Sequence, residues 1–170
     1  MSDAIYAPPS TALLESLRGL GYSASTAAAD IIDNAVSAGA KNIWVMNDLV
    51  ASVGDSYVAF ADNGFGMSEE RLQEAMIAGS RDPRKVLAEG ELGRFGLGLK
   101  TASLSQGRRL TVWSKSKGAS PSICQWDLDR INEGQGWQLF RSPQLRADKE
   151  HLERSEEHTS ELQSRLHLVC

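Results

Sequence analysis

Residues 57–67 read YVAFADNGFGM, a short apolar run that ends in an aspartate and is followed by a turn with two glycines. The run from Tyr57 to Ala61 has the length and composition of a β-strand. Gly64 and Gly66 allow positive φ angles and a close approach of the backbone to a ligand. Asp62, at the end of the strand, can accept a hydrogen bond from an exocyclic amine. A plain Asn-Gly turn without a ligand explains this stretch equally well when it is taken alone.

A helix with a polar face precedes this strand. The apolar and alanine positions between Ser25 and Ala38 predict an amphipathic helix, which Gly39 ends. Asp30, Asp33 and Asn34 are three or four residues apart and therefore project from one face. Carboxylate and amide oxygens are ligands that Mg²⁺ prefers. A solvated helix face is the other interpretation of these three residues.

A glycine-rich loop enters a helix at residues 93–101, which read GRFGLGLKT. Glycines leave backbone N–H groups accessible, and a helix N-terminus carries partial positive charge, so both suit phosphates. Lys100 would add a point charge there. The spacing is not that of a Walker A loop. No leading strand and βαβ unit surround it, which argues against a dinucleotide-binding fingerprint.

The remaining segments predict helices mixed with strands joined as hairpins, which is the pattern of an α+β fold. Ser68 is placed to cap a helix whose first turn is acidic. Strands are predicted for residues 42–46, 110–114, 123–128 and 137–140, and a helix for residues 10–20.

The C-terminal segment has a different character. Residues 154–170 read RSEEHTSELQSRLHLVC and continue no periodicity from the preceding segment. Residues 154–164 and 167–170 are identical to a translation of a common DNA-sequencing adapter. We therefore interpret the segment as a non-native tail, with a native polar helix as the alternative, and leave it out of the predicted fold. One native domain is expected over residues 1–153, in a natural protein that is longer.

Length and composition fit one globular domain. The chain has 170 residues, of which 41% are hydrophobic and 24% charged. Its net charge of -4 argues against a basic surface that coats nucleic acid. Cys124 and Cys170 form neither a metal spacing nor a disulfide framework. We see no signal peptide and no membrane-spanning run, and expect a cytoplasmic protein.

The three motifs, in this order, resemble the N, G1 and G2 boxes of the GHKL ATPase superfamily, which includes gyrase B, heat-shock chaperones, histidine kinases and MutL. The resemblance covers about residues 10–130, and the flanking sequence is most similar to bacterial ATP-binding proteins near the MORC and chaperone branch. It implies a two-layer Bergerat fold of the α+β class, with a mixed sheet and helices on one face.

The resemblance also implies Mg-ATP as the ligand and a role for each matching residue. Asn34 would coordinate Mg²⁺, and Asp30 would be the general base, although gyrase-like and MutL-like members usually have the longer glutamate there.

The other matching residues would contact the adenine and the phosphates. Asp62 would bind the adenine amine, Gly64 and Gly66 would make room for the adenine, and Met67 would lie against it. Gly93, Gly96, Gly98 and Lys100 would lie at the phosphates, and residues 79–92 would form a lid.

Three functions are compatible with the motifs. The first is an ATPase switch that dimerises on binding nucleotide and acts on DNA or protein through a region beyond this chain. The second is a non-catalytic nucleotide sensor or interaction module. The third, a histidine-kinase catalytic domain, is disfavoured because the histidines, His151, His158 and His167, lie at or in the tail. Gyrase-like and MutL-like enzymes complete their site with a lysine from a following domain, so we expect weak hydrolysis by this chain.

Overall fold

The computed structural model describes residues 16, 18–19, 22–48, 56–77, 98–131, 138–143, 149 and 164–169. The longer helices in these ranges are α1 (Ala24–Ser37), α2 (Glu69–Met76) and α3 (Gly98–Gln106), and a three-residue helix spans Leu128–Arg130. Five strands are β1 (Ile43–Asp48), β2 (Tyr57–Asp62), β3 (Arg109–Ser114), β4 (Ser122–Asp127) and β5 (Ser164–Val169). The predicted lid at residues 79–92, Gly93, Gly96 and most of the predicted helix at residues 10–20 lie outside the described residues.

Local sequence signals explain where the first two helices begin and end. The Ser23 hydroxyl accepts a hydrogen bond from the Thr26 N–H at the start of α1. Gly39 ends this helix with a φ of 72°, a conformation that glycine adopts without strain. The Ser68 hydroxyl accepts from the Arg71 N–H at the start of α2, as predicted.

The described strands form one sheet in the order β1-β2-β5-β3-β4. Each neighbouring pair in that order is antiparallel, so β2 and β3 run in the same direction with β5 between them. The α+β class is confirmed. A mixed sheet was expected, whereas every pairing among the described strands is antiparallel. β1 pairs with the next strand, β2, and β3 with the next strand, β4, while β5 lies between β2 and β3 and runs opposite to both.

Strand β5 is the main departure from the predicted fold. Residues 164–169 lie inside the segment that we left out of the fold, yet they pair with both β2 and β3. Within the sequence SRLHLV, residues 165–168 alternate polar and apolar, which is compatible with a strand. Two neighbouring strands with unpaired backbone groups provide the partners for it. The adapter interpretation of residues 154–170 remains a prediction.

The hydrophobic core lies between the helices and one face of the sheet. Side chains from α1, α2, α3, β2, β3 and β4 meet in it, including Ile31, Leu72, Leu104, Leu110 and Trp126. Tyr57 and Ala59 alternate with core residues along β2 and therefore point to the opposite face. On that face, the buried Gln125 side chain donates to the Thr111 hydroxyl at 2.7 Å.

Two further predictions concern the end of the chain and the membrane. The strand predicted for residues 137–140 reduces, where it is described, to a single bridge between Gln125 and Phe140. None of the helices in the described part of the chain is long and apolar enough to cross a bilayer.

Candidate functional site

The polar face of α1 carries the predicted base and the predicted metal ligand. Asp33 and Asn34 are exposed, and Asp30 is half-buried. The Tyr22 hydroxyl donates to Asp30 Oδ2 at 2.8 Å. Asn34 Nδ2 donates to the Asp30 backbone carbonyl at 2.8 Å, so the amide nitrogen faces the helix and the amide oxygen is the outward atom. The face thus presents carboxylate and amide oxygens together.

The glycine turn after β2 is docked on the C-terminal end of α1. The Phe65 N–H donates to the Ala38 carbonyl at 2.9 Å. Asn63 Oδ1 accepts from the backbone N–H groups of Lys41 at 2.9 Å and Asn42 at 2.8 Å. These bonds fix the turn relative to α1, and they place the end of β2 beside the end of that helix.

Gly64 is required by this docking. A Cβ atom at residue 64 would lie 2.6 Å from the Ala38 carbonyl oxygen and 2.9 Å from Asp62 Oδ1. No real Cβ makes contacts that short with backbone, so a side chain would push the turn away from α1. Gly66 serves differently, because its φ of 65° lies in the left-handed region.

Asp62 is held in a defined orientation at the end of β2. Its Oδ1 accepts from the Gly64 N–H at 2.8 Å, which leaves Oδ2 for another donor. Burial raises the pKa of the Asp62 carboxyl above its usual value, and the Gly64 hydrogen bond opposes that shift. An acceptor carboxylate in a partly desolvated setting suits recognition of an exocyclic amine.

Met67 is fixed by the neighbouring strand β3. Its backbone N–H donates to the hydroxyl of Ser114 at 2.8 Å, and Ser114 is fully buried. The Met67 side chain packs against the core. The turn from Asp62 to Met67 is therefore anchored at one end to α1 and at the other to β3.

Helix α3 packs against α1 and begins at Gly98. A Cβ at Gly98 would meet no atom within 4 Å, so nothing in the described fold itself requires a glycine there. A glycine at the start of a helix leaves the first N–H groups open to an anion. Gly93 and Gly96, the other glycines of this motif, lie outside the described residues.

The ammonium of Lys100, which the resemblance assigns to the phosphates, binds main-chain carbonyls at the end of α2. The Lys100 side chain is 2% exposed, and its ammonium donates to the carbonyls of Ala75 at 2.6 Å and Ile77 at 3.1 Å. The Trp126 indole N–H donates to the carbonyl of Met76, between those two, at 2.9 Å. Carbonyls at a helix C-terminus attract cations, and they lack partners within the helix. Lys100 therefore ties the start of α3 to the end of α2 and does not face solvent as a phosphate ligand would.

A magnesium ion fits the chemistry of the polar face only if the nucleotide supplies most of its ligands. Within the described ranges, no three His, Cys, Asp or Glu side chains are grouped to hold a metal ion by themselves. Mg²⁺ retains several waters and is usually bound through one or two protein oxygens together with phosphates. The outward amide oxygen of Asn34 is compatible with that arrangement.

Three residues that position the site were missed at the level of sequence. Asn63 caps the chain after α1, Ser114 holds Met67, and Tyr22 binds Asp30. Asn63 carried a signal, because asparagine side chains often accept from nearby backbone N–H groups. Ser114 and Tyr22 carried none, because their partners are set by tertiary packing.

Comparison with known proteins agrees with the resemblance that the three motifs carry. A family model described as histidine kinase-, DNA gyrase B- and HSP90-like ATPase matches residues 22–161. MORC family CW-type zinc finger protein 3 of Mus musculus is 29% identical over 93 residues, 54% of this chain and 10% of that protein. ATPase morc-1 of Caenorhabditis elegans is 28% identical over 111 residues, 65% of this chain and 12% of that protein. DNA mismatch repair protein MutL of Paramagnetospirillum magneticum is 32% identical over 108 residues, 61% of this chain and 16% of that protein. The chain thus spans less than a fifth of the length of these relatives.

Proposed function

The chain belongs to the family of histidine kinase-, DNA gyrase B- and HSP90-like ATPases, and from this premise we propose that it binds Mg-ATP and, on its own, hydrolyses it weakly. The observation that carries the proposal is the docking of the glycine turn on α1. It brings the adenine-binding candidate Asp62 and the polar face of Asp30 and Asn34 onto adjoining elements. The adenine-binding carboxylate of Asp62 and the metal-binding face of α1 then belong to one site.

The adenine end of the site is built around Asp62. Because Gly64 already occupies Oδ1, Oδ2 is the acceptor that we assign to the adenine amine. The close contact of Gly64 with Ala38 keeps the turn near α1. We propose that the adenine lies over this turn and against Met67. Burial of Asp62 strengthens a hydrogen bond to a ligand, since water competes less for the carboxylate.

The phosphate end is assigned to the start of α3. The backbone N–H groups of Gly98 and of the residues that follow it would donate to the phosphates, and Gly93 and Gly96 remain predicted partners. Lys100 is removed from the set of phosphate contacts because its ammonium is bound to the end of α2. Mg²⁺ would be held by Asn34 together with phosphate oxygens and water, and would neutralise charge on the phosphates.

Asp30 is proposed as the general base for the water that attacks the γ-phosphate. Closure of residues 79–92 over the nucleotide and association of two copies are further parts of the proposal. They are supported by family membership alone. Relatives named as an ATPase and as a DNA mismatch repair protein support a DNA or protein client for the whole protein. A cytoplasmic location is a further part of the proposal.

The binding part is tested by calorimetric titration of the chain with ATP in the presence of Mg²⁺. Asp62→Asn keeps the acceptor for Gly64 but turns an amide NH₂ toward the adenine amine. The lost charged hydrogen bond is worth about 1.5–3 kcal/mol, which corresponds to roughly a 10- to 100-fold weaker affinity. Asp129→Asn, which alters an exposed carboxylate paired with Arg108, is the matched control and should bind ATP normally. Equal affinities of all three proteins would contradict the assignment of Asp62.

A non-catalytic nucleotide sensor is the second candidate, and the aspartate at residue 30 favours it. Aspartate reaches one methylene less far than glutamate, so the attacking water has to lie closer to α1. Single-turnover hydrolysis, with the chain in excess over labelled ATP, separates the two functions. An ATPase that uses Asp30 slows at least about 100-fold in the Asp30→Asn variant. A sensor gives the same negligible rate in both proteins while it still binds ATP.

A further inference from the structure

Tyr22 connects the two helices of the candidate site. It lies immediately before Ser23, the N-terminal cap of α1, and its ring packs against the core. Its backbone carbonyl accepts from Gln106 Nε2, at the last residue of α3, at 2.9 Å. Its hydroxyl donates to Asp30 Oδ2, which lies about two turns into α1, at 2.8 Å. The residue is therefore fixed at its backbone by α3 and at its hydroxyl by the carboxylate of α1.

The hydroxyl restrains a motion that aspartate otherwise has. The torsion that rotates a carboxylate about its Cβ–Cγ bond is broad, so an exposed aspartate presents either oxygen to a reactant. A donor fixed on Oδ2 selects one orientation of the Asp30 carboxylate and leaves Oδ1 as the oxygen that can face a reactant. The neutral donor leaves the charge of Asp30 in place, which a base needs.

The protonation state of the pair agrees with this arrangement. The hydrogen bond to Asp30, then burial, then the charge of Asp30 raise the pKa of the Tyr22 phenol above its usual value. At neutral pH the phenol therefore keeps its proton and donates the hydrogen bond. Tyr22 does not take up the proton that a base would remove from water.

We propose that Tyr22 is a positioning residue for ATP hydrolysis, which orients the carboxylate of Asp30 toward the attacking water and fixes it relative to α3. The inference rests on the proposed function, because it gives Asp30 the role of base. It also answers the difficulty of the shorter side chain. A carboxylate with less reach works when it is held in one orientation beside the helix that receives the phosphates, since geometry controls the rate of such steps.

Removal of a single oxygen tests the proposal. Tyr22→Phe keeps the ring in the core and deletes the donor, and Tyr57→Phe deletes a hydroxyl on the opposite face of the sheet as the matched control. Single-turnover rates and the ATP concentration for half-saturation are measured for both variants, for Asp30→Asn and for the Tyr22→Phe, Asp30→Asn double variant. We expect Tyr22→Phe to lower the rate about tenfold and to change half-saturation by less than about twofold. The double variant should be no slower than Asp30→Asn.

A second measurement reports on the pair without hydrolysis. In the chain labelled with [¹³Cζ]tyrosine, the Tyr22 signal is identified by its absence from Tyr22→Phe and is titrated with pH. Asp30→Asn should lower the midpoint of that titration, because it removes the charged acceptor. An unchanged midpoint would overturn the inferred contact.

The outcomes distinguish this inference from the proposed function. Slow Asp30→Asn with normal Tyr22→Phe would overturn the role of Tyr22 and leave Asp30 as the base. A further loss from Tyr22→Phe in the Asp30→Asn background would also overturn it, since the effect would then be structural. Asp30→Asn with the wild-type rate would overturn the proposed base, and the role of Tyr22 with it.

Discussion

For Lys100→Met, the sequence motif and the structure lead to different expectations. The motif predicts weaker ATP binding, whereas the structure predicts a less stable chain. The side chain is 2% exposed, and its ammonium donates to the carbonyls of Ala75 and Ile77. Methionine has a similar length and fills the same space, but it cannot donate to either carbonyl. The perturbation is therefore a loss of polar contacts in a buried place with little change in packing.

The size of the effect follows from those contacts. A hydrogen bond that involves a charged group contributes about 1.5–3 kcal/mol, and a buried carbonyl left without a partner costs about 1–3 kcal/mol. Methionine offsets part of the loss, since it removes the desolvation of a buried ammonium. We expect Lys100→Met to lower the free energy of unfolding by about 2–4 kcal/mol. With a urea m-value of about 2 kcal/mol/M, the midpoint falls by about 1–2 M.

The assay is urea unfolding of the nucleotide-free chain, followed by circular dichroism. Lys115→Met, at an exposed residue after β3, is the matched control and should change stability by less than about 0.5 kcal/mol. A phosphate ligand would behave in the opposite way. Unchanged stability of Lys100→Met, together with weaker binding of ATP and normal binding of adenosine, would refute the structural role and restore the phosphate contact.

Four other substitutions test the geometry of the glycine turn and of α3. Gly64→Ala forces a Cβ into the Ala38 carbonyl and should destabilise the chain by about 1–3 kcal/mol in urea unfolding. Gly98→Ala meets no atom, so it should leave stability unchanged or raise it by up to about 1 kcal/mol while it weakens ATP binding in calorimetry; normal ATP binding would contradict a phosphate site there. Burial raises the pKa of Asp62, so its ionisation opposes folding above that pKa. Asp62→Asn should therefore raise the melting temperature at neutral pH, with the gain vanishing as the pH falls through that pKa; a gain that persists in acid would show another cause. Ser114→Ala leaves the Met67 N–H without its acceptor and should cost about 1–3 kcal/mol in urea unfolding, and no loss would show that water replaces the hydroxyl.

The elements with strong local signals could be predicted from the sequence. Helix α1 was expected from Ser25 to Ala38 and is observed over Ala24–Ser37, because its apolar spacing and Gly39 define it locally. The cap of Ser68 on α2 and the hairpin of β3 with β4 are local features too. The order of the three motifs identified the family, which the family comparison confirms.

The features that the sequence did not predict depend on packing in the assembled fold. Lys100 was assigned to phosphates because it follows a glycine-rich loop, and the sequence gives no sign that the carbonyls of Ala75 and Ile77 are its partners. The Tyr22 contact with Asp30 joins residues only eight apart, but Tyr22 is also held at its backbone carbonyl by Gln106 of α3, which no local pattern indicates. β5 was missed because residues 154–170 were excluded on their resemblance to an adapter, and pairing with β2 and β3 is a property of the assembled sheet.

We propose that Mg-ATP binds between the glycine turn and the start of α3. The most direct test is titration of the ¹⁵N-labelled chain with a non-hydrolysable ATP analogue and Mg²⁺, followed by NMR. We expect saturable changes in the backbone signals of Gly64, Gly66 and Gly98 and in the side-chain amide signal of Asn34, the last only when Mg²⁺ is present. Saturable binding that leaves these four residues unchanged, or no binding at millimolar analogue, would contradict it.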